Sequence, residues 1–239
     1  MRAEAISLDI WGTLLRSDPD FKPARNEMLR HALAADVDPD CFDEAMRTMD
    51  READEICMAR GTDVGFAERV QLTLAHLARP AAEHADQVVH LADIREDVVR
   101  ELMEQQAQMA REHHPIALDD RIPALVAELA ETRPVILTSN TGMLPGVLMR
   151  DLLALAGFTG NLGMVFSNEV GWAKPDRRIF EKTLTLAEAT NGERIASSCV
   201  VHVGDNPLAD EQGARDAGMT AVLVVPDGKS TVDALEALR

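Results

Sequence analysis

Tyrosine is absent from this chain, and aromatic residues make up 3% of its 239 positions. Aliphatic side chains and 11 methionines must therefore fill whatever core it builds. Cysteine is scarce too: Cys41, Cys57 and Cys199 are scattered and show no CxxC spacing. That excludes a disulfide framework or a zinc ribbon and suits a reducing compartment. Positive charge is in short supply, with 24 Lys and Arg against 41 Asp and Glu and a net charge of −17. Such a field repels nucleic acid and anionic membranes, so neither is expected as a partner. A small anionic substrate is repelled as well, unless a metal or a few basic residues invert the potential locally. No apolar run reaches the roughly 18 residues a membrane span needs, and the N-terminus lacks a signal-peptide pattern. The expected location is cytoplasmic. Repeats and low-complexity stretches are missing.

What is present is an ordinary 46% of hydrophobic residues, arranged in two contrasting rhythms. The first apolar run, residues 3–9, is too short for a globular helix and reads as a buried strand ending at Asp9. Then Trp11-Gly12-Thr13 makes a turn, where Gly12 permits close backbone approach and Thr13 offers a hydroxyl. From Ser17-Asp18-Pro19-Asp20 onward the pattern is helix after helix: residues 23–35, 39–60 with Gly61 as C-cap, 64–78, and 88 to about 111. After Asp119, where Asp119 or Asp120 can cap a helix, strands alternate with helices. Strands are expected at 135–139, 164–166, 199–203 and 221–225, with helices at 144–155, 175–189 and 208–217 between them. This alternation implies a Rossmann-like α/β fold, a parallel sheet covered by helices on both faces. The helical stretch is then an insertion, dividing the chain into a core of residues 1–16 and 115–239 and an α-helical cap of residues 17–114.

Ligands of such sheets bind at the carboxyl ends of the strands. The polar residues there are Asp9 with Thr13, Ser139 with Asn140, then Lys174, then Asp205 with Asp210. Lys174, one of four lysines, has two readings: a site cation, or a solvated lysine before a helix that Pro175 opens. Asp210 likewise reads as a site carboxylate or as an early-helix acid favoured by the macrodipole.

In this order the residues resemble the four motifs of the haloacid dehalogenase (HAD) superfamily. Asp9-Ile10-Trp11-Gly12-Thr13-Leu14 resembles the first motif, Ser139-Asn140 the second, Lys174 in Gly171-Trp172-Ala173-Lys174-Pro175-Asp176 the third, and Gly204-Asp205 through Asp210 the GDxxxxD fourth. The resemblance implies Asp9 as nucleophile, with Lys174 and Ser139 assisting catalysis. It implies Mg²⁺ held by Asp9, the backbone carbonyl of Trp11 and Asp205, with Asp210 supporting the metal from outside its direct ligands. Substrate oxygens would be met by Asn140, Thr13 and backbone N–H groups near Trp11 and Gly12.

Trp11 departs from the family's phosphatase pattern, which carries an acid–base Asp there; indole cannot donate or accept that proton. The superfamily's dehalogenases carry an aromatic residue at this position, because halide leaves without a proton, but they work without a metal. The expected function is a Mg²⁺-dependent phosphatase acting on a small anionic metabolite. The alternatives are a 2-haloacid dehalogenase-like hydrolase and a phosphate-binding or regulatory protein of low turnover. Lys22 and Arg25, where the chain enters the cap, read either as contacts to an anionic substrate group or as a solvated basic turn. The seven histidines show no ligand spacing, and His113-His114 reads as a solvated hinge. Oligomeric state stays open.

Overall fold

The computed structural model describes residues 3–81 and 95–239. In chain order its elements begin with β1 (Ala5–Leu8) and β2 (Leu15–Arg16), followed by α1 (Phe21–Leu33), α2 (Pro39–Arg60), α3 (Phe66–Ala81) and α4 (Glu96–Glu112). Then come β3 (Ile116–Ala117), α5 (Ile122–Ala130), β4 (Val135–Ser139), α6 (Gly146–Leu155), β5 (Leu162–Phe166), α7 (Ser167–Val170) and α8 (Arg177–Asn191). The chain closes with β6 (Val200–Gly204), a π-helical turn at Pro207–Gln212, α9 (Gly213–Asp216), β7 (Thr220–Leu223) and α10 (Lys229–Ala237).

Five strands form one parallel sheet in the order β5-β4-β1-β6-β7. Every residue of β1 and β4 is buried, as expected for strands covered on both faces. The pleat sends alternate residues to opposite layers. Ile6, Leu8, Val135, Leu137 and Val203 join the cluster that includes Val126 of α5 and Val232 of α10. Ala5, Ile136 and Val200 join the cluster of Ile179, Phe180 and Ala187 from α8. On that second face the middle positions are polar, Ser7 in β1, Thr138 in β4 and His202 in β6, all with their side chains buried.

The helices α1–α4 lie between β2 and β3, which pair antiparallel as Leu15 with Ala117 and Arg16 with Ile116. The two passages between the sheet and the helical block are thus clamped side by side. Neither short strand was expected from the sequence, because two residues carry no readable periodicity. The block has its own apolar cluster, including Leu29, Phe42, Met46, Met49 and Leu102, to which the α/β part adds Met143 and Ala173. Gly61 ends α2 in the left-handed region at φ 67°, its N–H bonding to Cys57 O at 2.9 Å, as its place in the sequence implied. The start of the expected helix at residue 88 lies outside the described residues; its remainder is α4. His84 and His90 lie outside them as well.

The helices expected from residues 23, 64, 144 and 175 open two residues away, α8 at Arg177 behind an Asp176 cap and not at Pro175, and two further helix starts differ in kind. Asp119 does not cap α5: its Oδ1 accepts from Arg121 N at 3.0 Å, one residue before the helix opens at Ile122. The helix expected at 208–217 is a π-helical turn followed by one short α-helical turn. Asn206 caps this turn, its side chain accepting from Leu208 N and Ala209 N at 2.9 Å, while its carbonyl accepts from Asp210 N and also from Glu211 N at 3.2 Å, the wider i→i+5 bond of a π-helix. The wider turn brings Asp210 back under the strand end, a placement typical of π-bulges at functional sites.

Candidate active site

β1 runs into the centre of the sheet and releases Asp9 at its carboxyl end, with Asp9 N still bonded to Val203 O at 2.9 Å. The carboxylate is 6% exposed and the Lys174 side chain is equally enclosed. Lys174 Nζ donates to Asp9 Oδ1 and to Asp210 Oδ1, both at 2.5 Å. Asp9 and Asp210 therefore share one ammonium. Asp205, half-buried, completes the group: Asp9, Asp205 and Asp210 each offer an oxygen, and these oxygens lie within 4.8 Å of one another.

Three carboxylates against one ammonium leave the pocket short of positive charge. Burial, with Asp210 and Asp205 adding repulsion, pushes the Asp9 carboxyl up to about 7 against the pull of Lys174. Burial and the Asp210 charge likewise raise Asp205. Asp210 goes the other way: burial resists, but Lys174 and His202 hold it well below the usual carboxylate range. Lys174 is raised by its two carboxylate partners, against its own burial. A hard divalent cation fits this donor set, which is rich in oxygen and lacking in charge. The backbone is shaped for it too. Gly12 has φ 75°, and a Cβ there would meet Asp205 Oδ2 at 2.4 Å. At Gly204 a Cβ would meet Asp210 Cγ at 2.3 Å. Both glycines are required by the close packing of the carboxylates.

Most of the residues singled out in the sequence converge here, with changed duties for some. Asp9, Trp11, Gly12, Ser139, Asn140, Lys174, Asp205 and Asp210 all line one cavity of about 680 Å³. Thr13 is fully buried, and its Oγ1 donates to Asp9 Oδ2 at 3.4 Å. Ser139 Oγ makes only a long contact, 3.3 Å to Asn140 O, leaving the hydroxyl able to turn toward the cavity. Asn140 was expected on substrate, but its amide is engaged elsewhere. It accepts from Lys174 N at 2.7 Å and donates to Lys174 O at 3.0 Å, so it holds the backbone that presents the lysine. Asp210 is similarly occupied, by Lys174, by His202 Nε2 at 3.1 Å and by Asn206 N at 2.9 Å. Lys22 is exposed whereas Arg25 is buried, although both line the cavity. His113 lies 3.8 Å from Asp18 at the passage between the helical block and the sheet, and His114 bonds to Pro115 O.

Two groups of residues were missed. One is the polar seam beneath the site: His202 Nδ1 and Ser7 Oγ are 2.7 Å apart, Ser7 donates to Thr138, and Thr138 pairs with Thr183 of α8. The seam supports Asp210 from below. Its signal was legible: a polar residue inside an apolar buried strand needs a partner. The other is Asp63 in the loop between α2 and α3. It accepts from Ser167 Oγ at 2.6 Å, from Thr141 Oγ1 at 2.7 Å and from Gly142 N, tying the helical block to the loop after β4. No local pattern marks that residue.

A family model described as haloacid dehalogenase-like hydrolase matches residues 3–218. Human haloacid dehalogenase-like hydrolase domain-containing protein 3 is 42% identical over 78 residues, 30% of this chain and 29% of that protein. Phosphoserine phosphatase of Thermus thermophilus is 36% identical over 115 residues, 48% of this chain and 43% of that protein. The matched stretches thus span less than half of these curated relatives. Among solved structures, a defluorinating L-2-haloacid dehalogenase superposes with a TM-score of 0.64 at 14% identity, covering 100% of this chain and 99% of that one. At that identity the likeness is one of fold.

Proposed function

This chain belongs to the haloacid dehalogenase-like hydrolases, and within that family we propose that it hydrolyses a small phosphate monoester through Asp9 with the help of Mg²⁺. The reading rests on one observation above others, the crowding of three carboxylates around a single ammonium. Without a metal, that charge deficit can be met only by holding a proton on Asp9, which blunts it as a nucleophile. Asp9, Asp205 and the Trp11 carbonyl would hold the ion, with Asp210 fixing Lys174 beside them. Bound there, Mg²⁺ supplies positive charge that keeps Asp9 ionised and offsets the charge of a phosphoryl oxygen.

An oxygen of Asp9 would attack phosphorus as the ester P–O bond breaks, the departing alkoxide taking a proton from solvent, and water would then attack phosphorus, breaking the P–O bond to Asp9 and releasing phosphate and the free carboxylate. Lys174 and Ser139 and the N–H groups near Trp11 and Gly12 stabilise the phosphoryl oxygens. Asn140 contributes by holding Lys174 in place. The block of α1–α4 acts as a cap over the cavity, and the paired strands β2 and β3 form its hinge.

A second reading has its own observation. Trp11 lines the cavity where the leaving group would be protonated and has no proton to give. Carbon–halogen cleavage by Asp9 would not need one. The deciding experiment is a screen of phosphate esters and 2-haloacids, with and without Mg²⁺, using Asp9→Asn as control. Metal-dependent release of phosphate that the variant lacks supports the proposal. Metal-independent halide release with an ester trapped on Asp9 overturns it.

A further inference from the structure

The described residues contain three buried cationic side chains, Arg25, Arg69 and Lys174. Two of them have carboxylate partners. Lys174 is held by Asp9 and Asp210, and Arg69 by Asp50 at 3.2 Å and Asp54 at 3.5 Å, with Nε bonded to Val64 O. Arg25 differs. It is 4% exposed and has no carboxylate oxygen within 4.0 Å among the described residues. Its Nε and Nη2 both donate to the neutral Asn26 Oδ1, at 3.1 and 2.8 Å, and Asn26 passes its own amide to Asp43.

A guanidinium has five N–H donors in a rigid fork, so this arrangement leaves the Nη1 end of Arg25 uncommitted. Burying a cation without a counter-charge is expensive and is normally avoided, and the Phe21 ring 5.9 Å from Arg25 Cζ offsets only a small part of that cost. Arg25 nevertheless lines the same cavity as Asp9, from the helical side. The acids nearby are engaged: Asp50 and Asp54 face Arg69, and Asp63 is tied to Ser167, Thr141 and Gly142. Arg16 and Lys22, the other basic residues that line the cavity from this entry, are exposed to solvent.

We propose that Arg25 is a specificity residue that binds a second anionic group, a carboxylate or another phosphoryl, on the leaving-group side of the substrate. The substrate class is then an acidic phosphate ester, with one anion on the sheet side of the cavity and one on the helical side. This deepens the phosphatase reading and rests on it. It also suits a protein of net charge −17, where an anion needs a local cation at each end to enter.

The test compares ethyl phosphate, 2-carboxyethyl phosphate and ethylene glycol bisphosphate in saturating Mg²⁺, with the wild type, Arg25→Met and Arg25→Lys. Wild type should favour at least one doubly anionic ester, and which one identifies the second group as carboxylate or phosphoryl. In Arg25→Met the ratio of kcat/KM, doubly over singly anionic, should fall about 10- to 100-fold, the range for a charged hydrogen bond lost, mainly through KM. Arg25→Lys should recover part of it. The ratio is measured within one preparation, so a partly unfolded variant does not distort it. Hydrolysis of all three esters with no preference in wild type, or a ratio unchanged in Arg25→Met, overturns the inference and leaves the phosphatase reading standing. Hydrolysis of none of them, beside halide release from 2-haloacids, overturns both.

Discussion

The two halves of this molecule handle buried charge in opposite ways. At the carboxyl ends of the sheet, Lys174 is enclosed with an excess of carboxylates, and every charge has a named neighbour. In the helical block, Arg25 is enclosed with neutral partners and an open fork. The first arrangement calls for a cation and the second for an anion. A substrate that bridges the two, sheet rim and helical roof, together with a metal ion would satisfy both.

The largest break in that comparison comes from Lys174→Met. It leaves Asp9 and Asp210 buried without their shared cation, and removing one partner of a buried pair costs about 3–5 kcal/mol. Turnover should drop about 10²–10³-fold, as for the loss of a donor to a reacting oxyanion. Mg²⁺ should rescue part of the stability and little of the rate. Thermal melting and phosphate release measure the two separately; full activity in the variant would remove Lys174 from the site.

The Asp9 carboxyl gives a smaller but signed effect. Its folded value of about 7 lies above the unfolded 3.8, so the folded protein binds the extra proton between those values. That contribution is complete below about pH 4 and is lost as the pH rises through 7. The metal-free wild type should therefore lose more melting temperature from pH 5 to pH 8 than Asp9→Asn does, a comparison that sets aside His202, whose lowered folded value acts with the opposite sign in the same window. Asp210 has the opposite linkage, but its depressed value confines it to pH below about 4, outside this window. Millimolar Mg²⁺ should raise the melting temperature more at pH 8 than at pH 5.5, because the ion competes with that proton. Asp205→Asn should weaken the response. An equal shift at both pH values would deny that the ion meets Asp9.

Trp11→Asp tests the rim where it departs from the pattern expected of a phosphatase. General acid–base assistance is worth about 10²–10⁴-fold, so restoring a carboxyl should help poor leaving groups selectively. The variant should gain more on alkyl than on aryl phosphates when the two rates are compared within one preparation. Loss on both in a folded variant would mean that the roof already supplies the proton.

The rim was legible in the sequence because short motifs carry its chemistry. A carboxylate after a buried strand, a lysine before a helix and Gly-Asp after another strand each sit at a loop of the same edge. Boundaries were less legible where the backbone leaves α-helical periodicity, as in the π-turn after Asn206 that seats Asp210. The duty of Asn140 was misjudged because its spacing cannot reveal that its amide faces the Lys174 backbone. His202 was passed over for lacking ligand spacing, although its partners, Ser7 and Asp210, are ones only the sheet register and the turn bring near. In the roof, Arg25 read in the sequence either as a contact to an anionic substrate group or as part of a solvated turn, and Arg69 was not singled out at all. Only packing separates the paired guanidinium from the open one.

The smallest expected effect concerns the joint between the two halves. Asp63 reaches from the α2–α3 loop to three donors on the sheet side, Ser167 Oγ, Thr141 Oγ1 and Gly142 N. Asp63→Asn keeps the shape but replaces one accepting oxygen by an NH₂ that faces donors, so at least one bond is lost. Hydrogen bonds to charged groups are worth about 1.5–3 kcal/mol, and the hydroxyls can rotate to recover part of that. The expected outcome is a melting temperature lower by a few degrees, on the scale of about 2–4 °C per kcal/mol for a chain this size. If the joint also closes the roof over the substrate, KM should rise a few-fold with kcat less affected. Limited proteolysis should then cut sooner near residues 15–20 and 114–118, where β2 and β3 pair at the passages between the halves. A substrate mimic such as vanadate should slow that cutting in the wild type more than in the variant. Faster cleavage inside α2, with both passages intact, would mean that the helical block unfolds locally instead of swinging as a unit.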